Sequence, residues 1–101
     1  MKTYRGTQAL NCAVQVESET AGLYALPMRL DIWNHSPTGF AWGYGGSGPA
    51  QLALAILADH TGDRQKAMRL HQAFKRDFVA TFPAEWVLTS DQVENWIQKQ
   101  A

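Results

Sequence analysis

Five of the chain's eight glycines fall in one short run, Gly39-Phe40-Ala41-Trp42-Gly43-Tyr44-Gly45-Gly46-Ser47-Gly48, and Pro49-Ala50-Gln51-Leu52 leads out of it into an apolar stretch. No helix or strand sits easily on so many glycines, because each adds backbone freedom that an ordered element must give up. The run therefore cuts the chain in two. Before it, apolar residues alternate. Val14 and Val16 are spaced by Gln15, and Tyr24, Leu26, Met28, Leu30 and Ile32 all fall on even positions. Period two predicts a strand around 14–17 and another over 24–32, the latter with Arg29 and Asp31 on its opposite face. Pro27 marks an edge strand, a bulge or a break in the second. Residues 3–8 supply a partner strand, with turns expected at 9–11 and 18–22.

After the glycines the apolar spacing becomes helical. Pro49 suits the start of a helix, with Ser47 or Gly48 as its cap. Leu52, Ala53, Ile56 and Leu57 form its buried stripe, and Gly62 ends it. Asp63 caps a second helix over 64–80, whose inner face is Ala67, Leu70, Phe74 and Phe78. Pro83 stops it. Trp86-Val87-Leu88 reads as a short strand or an extended tether. Thr89 followed three residues later by Gln92 has capping-box form and starts a third helix carrying Val93, Trp96 and Ile97. Strands first and helices afterwards predict an α+β fold. Its small, mainly antiparallel sheet in the N-terminal third packs on two to three C-terminal helices, in a single compact domain over 1–101.

Nine basic and nine acidic side chains leave no net charge, which argues against general nucleic-acid or membrane-surface binding. The longest mainly apolar segment, Leu52–Ala58, is too short to span a bilayer, and Met1–Arg5 lacks the apolar run of a signal peptide. Cys12 is the lone cysteine, which fits a reducing, cytoplasmic setting. Four Trp, three Tyr and four Phe are enough for a core, a pocket and the anchors of a homodimer.

The glycine run is also the leading candidate site. Gly45, Gly46 and Gly48 let the backbone approach a ligand, Ser47 adds a hydroxyl, and free N–H groups at a helix start favour an anion. Trp42 and Tyr44 can stack on a base, and Gln51 lies on the first turn. No Lys-Ser/Thr follows the glycines, so this is not a phosphate-binding P-loop, and their spacing is not that of a dinucleotide fold. The alternative is a tight turn that packs a helix on the sheet, with Trp42 and Tyr44 in the core. Asn34 and His35 in the preceding loop, and Arg5 and Arg29 on the sheet, are candidates to complete an anion site. Arg64, Lys66, Arg69, Lys75 and Arg76 of the second helix form a candidate partner surface, or simply a solvated face. Cys12 with His35 makes an unconvincing thiol hydrolase. His60 and His71 lack metal-ligand spacing, so neither metal nor cofactor is expected. Tyr4-Arg5-Gly6 and Glu17-Ser18-Glu19 appear in the wrong order for an ADP-ribosyltransferase.

The run Trp42-Gly43-Tyr44-Gly45-Gly46-Ser47-Gly48-Pro49-Ala50-Gln51-Leu52-Ala53-Leu54-Ala55-Ile56-Leu57 resembles an uncharacterised domain-of-unknown-function family of short proteins from bacteria, plasmids and phages. The resemblance extends back through Asn34–Phe40 and Tyr4-Arg5-Gly6, and forward through Ala67, Phe74-Lys75 and Trp86–Thr89. It implies a compact bacterial or mobile-element module and brings no catalytic residues. With no convincing nucleophile, acid–base pair or metal set, the expected function is binding without turnover of an anionic, nucleotide-like small molecule, for example sequestering a signal of bacterial immunity. The alternative is an interaction module, such as an anti-CRISPR-like inhibitor of a host defence protein, anchored by Trp33, Trp86 or Trp96. A third reading is an enzyme using His35.

Overall fold

The computed structural model describes residues 1–100. The fold is α+β: a four-stranded antiparallel sheet with three α-helices. Strands β1 (Lys2–Thr7), β2 (Ala13–Ser18) and β3 (Gly22–Ala25) come first. Helices α1 (Ser47–Thr61) and α2 (Arg64–Asp77) follow, then β4 (Glu85–Thr89) and α3 (Ser90–Gln98). The strand order is β3-β2-β1-β4. Trp86-Val87-Leu88 is therefore a true strand, with Gly6 opposite Trp86 and Tyr4 opposite Leu88. The sheet draws on both ends of the chain, not on the N-terminal third alone.

Alternation holds where the strands are short. Tyr4, Val14, Val16, Trp86 and Leu88 point into the core, while Arg5, Gln15, Glu17 and Val87 face out. The expected strand over 24–32 does not form. β3 ends at Ala25, and Pro27, which has no N–H to give to a ladder, begins an irregular loop. Leu26 and Ile32 are buried from that loop, but Leu30 is exposed. Arg29 adopts a left-handed conformation that no strand contains. Cys12 also lies outside a strand, in a turn where it and Asn11 are both left-handed.

Helix α1 is buried from Gly48 to Ala58. It is apolar all round, not striped, and so needs neighbours around its whole circumference. The inner face of the sheet, α2 and α3 provide them in one continuous core. Its cap is Gly46, not Ser47 or Gly48, because the first intrahelical bond runs from Ala50 N–H to the Gly46 carbonyl at 3.0 Å. Asp63 caps α2 as expected, accepting from Lys66 N–H. The helix ends at Asp77, short of residue 80, and a 3-10 turn at Val79–Thr81 follows. The Thr89–Gln92 capping box is present in both directions.

Candidate functional site

A cleft of about 410 Å³ opens at the start of α1. Ser36, Thr38, Gly39, Phe40 and Ala41 line it from the loop, Tyr44 from the glycine run, and Ser47 and Gly48 from the first helical turn. Close approach builds it. A Cβ on Gly48 would stand 2.6 Å from Cβ of Ala41, so only glycine lets the helix start lie against that segment. The N–H groups of Ser47 and Gly48 precede the first intrahelical bond, and Gly46 carries no side-chain cap. No acidic residue occupies the first turn, so the positive end of the helix dipole faces the cleft uncompensated. Tyr44 is 54% exposed. No Lys, Arg or His lines the cleft.

Of the candidates read from the sequence, the cleft gathers Tyr44, Ser47 and Gly48, with Gly45 and Gly46 in the chain between them. The rest lie elsewhere. Trp42 is buried in the core, edge-on to Trp86 with ring centroids 5.7 Å apart. Arg5 sits on the outer face of the sheet beside Glu17, at 3.5 Å. Arg29 grips Asp31 through two hydrogen bonds of 3.0 and 3.1 Å. Asn34 is exposed and does not line the cleft.

Gln51 is fully buried and turned inward. Its Oε1 accepts the N–H groups of His35 and Ser36 at 2.8 and 3.2 Å. Its Nε2 donates to the carbonyls of Met28 and Trp33 at 2.6 and 3.0 Å. Both ends of the amide are thus saturated by the loop, and Gln51 is a clamp with nothing left for a ligand.

His35 belongs to a second fastening of the same loop. Its Nε2 lies 3.0 Å from Nε2 of His71 on α2. Its ring stacks on Trp33 at 4.9 Å with an interplanar angle of 11°. Burial, with His71 and Lys75 nearby, pushes the His35 imidazole below the usual histidine range. Burial lowers His71 too, against the opposing pull of the Met68 and Ala67 carbonyls. Sequence spacing marks His71 only as a poor metal ligand. Its partnership with His35 crosses two elements, so no local spacing could reveal it.

A third cluster was invisible for the same reason. The Asp59 carboxylate on α1 accepts from Lys2 Nζ at 3.0 Å and from the Tyr4 and Tyr24 hydroxyls at 2.7 Å each. It ties β1 and β3 to the end of α1. Burial, then the Asp59 bond and charge, drives the Tyr4 phenol far above its ordinary range.

The basic residues of α2 do not form one stripe. Arg64 reaches the Asp31 carbonyl at 2.9 Å, and Lys75 acts on the histidine pair. Arg76 lies 3.4 Å from Asp77. Lys66 and Arg69 turn the other way, into a groove of about 340 Å³ between α2 and α3, with Leu70 and Ile97. Of the proposed tryptophan anchors, Trp33 is 48% exposed, while Trp86 and Trp96 are buried. Among the described residues no three His, Cys, Asp or Glu side chains come together as a metal would require. Among the described residues no helix is long and apolar enough to cross a membrane.

A family model matches residues 4–99. The chain belongs to DUF6166, a family of unknown function. No curated protein and no solved structure matches it. The DUF6166 match runs from Tyr4 to Lys99, so the cleft, the Gln51 clamp, the histidine pair and, apart from Lys2, the Asp59 cluster lie inside it.

Proposed function

We propose that the protein is a small non-catalytic binding protein that holds an anionic, nucleotide-like ligand in the cleft at the start of α1. One observation carries the reading: uncapped helix N–H groups and a half-exposed Tyr44 ring border the same cleft. The N–H groups suit an anionic oxygen and the ring suits a base. A volume of about 410 Å³ falls within the range of small-molecule sites. In its finer form, which draws on the resemblance to phage and plasmid proteins, the ligand is a nucleotide signal of bacterial immunity and the protein sequesters it in the cytoplasm.

Calorimetric titration with AMP and with inorganic phosphate tests the reading, together with native mass spectrometry of protein purified from cell extract. AMP should bind unchanged, and Tyr44→Ala should weaken it by about tenfold, the worth of one base–aromatic stack. A Cβ at residue 46 would stand 2.6 Å from the Tyr44 ring, so Gly46→Val should displace that platform and abolish binding while leaving the fold intact. Protein that carries no small molecule out of the extract and binds no nucleotide would count decisively against the proposal.

A second reading has its own observation. Lys66 and Arg69 form no ion pair among the described residues and flank the partly apolar groove between α2 and α3. Glu94 also lines the groove, with its carboxylate engaged by His60 and Gln98, and the two cations suit an acidic protein partner, such as a host defence protein inhibited in the manner of an anti-CRISPR. Charge reversal at Lys66 and Arg69 should abolish such an interaction and leave AMP binding unchanged. Tyr44→Ala should do the opposite.

A further inference from the structure

The chain between β3 and α1 contains no strand or helix, yet it supplies much of the cleft. Two fastenings hold it. Gln51 is amide and does not titrate. The His35–His71 contact does titrate, and its geometry defines where each proton sits. His71 Nδ1 lies 2.7 Å from the Met68 carbonyl oxygen. A carbonyl only accepts, so this nitrogen carries the proton and the neutral ring keeps a lone pair on Nε2. His35 Nε2, 3.0 Å away, must then be the donor. One added proton can be shared along this contact. Two cannot, because two N–H groups would face each other.

We propose that the His35–His71 contact is an acid-released latch that holds the Trp33–Ser36 segment on α2 and opens when both imidazoles are protonated. Lys75 on α2 is the charged group that acts on both rings. The nearest loop charges, Arg29 and Asp31, neutralise each other, and Arg64 is spent on the Asp31 carbonyl. Gln51, reaching the same segment from α1, is neutral. No carboxylate lies within 4.0 Å of either imidazole among the described residues. The second proton therefore arrives unpaired beside a lysine. Both rings are held below the ordinary histidine value by burial first and Lys75 last. The latch is thus fully closed above about pH 6.5 and is lost progressively as the pH falls below it. Ser36 follows His35 and lines the cleft, so release would unseat that wall; this consequence rests on the cleft being the binding site.

The test needs no ligand, so its failure is separable from failure of AMP to bind. Long-range proton–nitrogen spectra near neutral pH should show His71 as the Nδ1–H tautomer and His35 as the Nε2–H tautomer. Amide exchange across residues 33–39, corrected for intrinsic rates, should lose protection by about tenfold in mild acid, the net worth of one hydrogen bond. Lys75→Gln should move that loss to higher pH, which a purely structural contact would not do. His71→Met, or His35→Phe if the buried substitution prevents folding, should leave the segment loose at every pH. The opposite tautomers, protection that does not change with pH, or an unchanged pH profile in His35→Phe would overturn the proposal. So would one equivalent of Zn²⁺ ligating both Nε2 atoms at neutral pH, since the pair would then be a metal site.

Discussion

Gly6 faces Trp86 across β1 and β4, and a methyl group there would run into the indole. The indole has nowhere to go. It stacks on Phe82 at 4.3 Å and meets Trp42 edge-on. Gly6→Ala should therefore cost about 1–3 kcal/mol in denaturant unfolding, the usual penalty for overpacking a filled core. Gln51 makes a sharper prediction. Gln51→Leu keeps much of the buried volume but strands two loop N–H groups and two carbonyls. The loss should be about 3 kcal/mol, with the loop loosening first in hydrogen exchange. A stability within about 0.5 kcal/mol of the parent would show that the amide is not the clamp. Gln51 could be noticed in the sequence as a polar residue entering an apolar helix. What it grips could not, because its partners are backbone atoms of a loop that no pattern describes.

At the scale of elements, the helices were legible because Asp63, Gly62 and the Thr89–Gln92 pair act locally. So were β1 and β2, whose alternation meets the core directly. The stretch at 24–32 misled because its alternation is accidental. Leu26 and Ile32 reach the core by a loop path, while Pro27 and left-handed Arg29 deny the backbone a ladder. β4 was ambiguous because a short central or edge strand is decided by its partner, and β1 lies far away in sequence. The candidate cleft was half legible. Tyr44, Ser47 and Gly48 follow from a local junction, but the basic and histidine candidates depend on long-range placement and went elsewhere. Asp59 joins three elements in this way. Asp59→Ala would leave the buried Tyr4 hydroxyl without an acceptor and should cost about 3 kcal/mol, whereas Asp59→Asn keeps one acceptor and should cost less. Thermal unfolding of the two variants, in that order of stability, checks the assignment.

The whole molecule wraps an apolar helix that cannot stand alone, so stability depends on the sheet staying attached to α1. Tyr4 and Tyr24 make that attachment through their hydroxyl protons. Burial first, and then the hydrogen bond and charge of Asp59, raises the ionisation of both phenols above their ordinary value, with Lys2 opposing the shift at Tyr24. A group whose folded-state pKa is raised contributes stability that is complete below its unfolded value, about pH 10 for tyrosine, and is lost as the pH climbs beyond it. The sheet should thus loosen on the alkaline side. Denaturant midpoints should hold steady to about pH 9 and fall steeply above about pH 10, with the Tyr4 phenolate absorbance appearing together with unfolding instead of before it. Tyr4→Phe keeps the ring in the core and removes the proton. It should be less stable than the parent by about 1 kcal/mol near neutral pH, the net worth of the bond, and its alkaline decline should be shallower. A parallel decline in the two proteins would place the alkaline sensitivity in other groups and deny Asp59 its role as the fastening between sheet and helix.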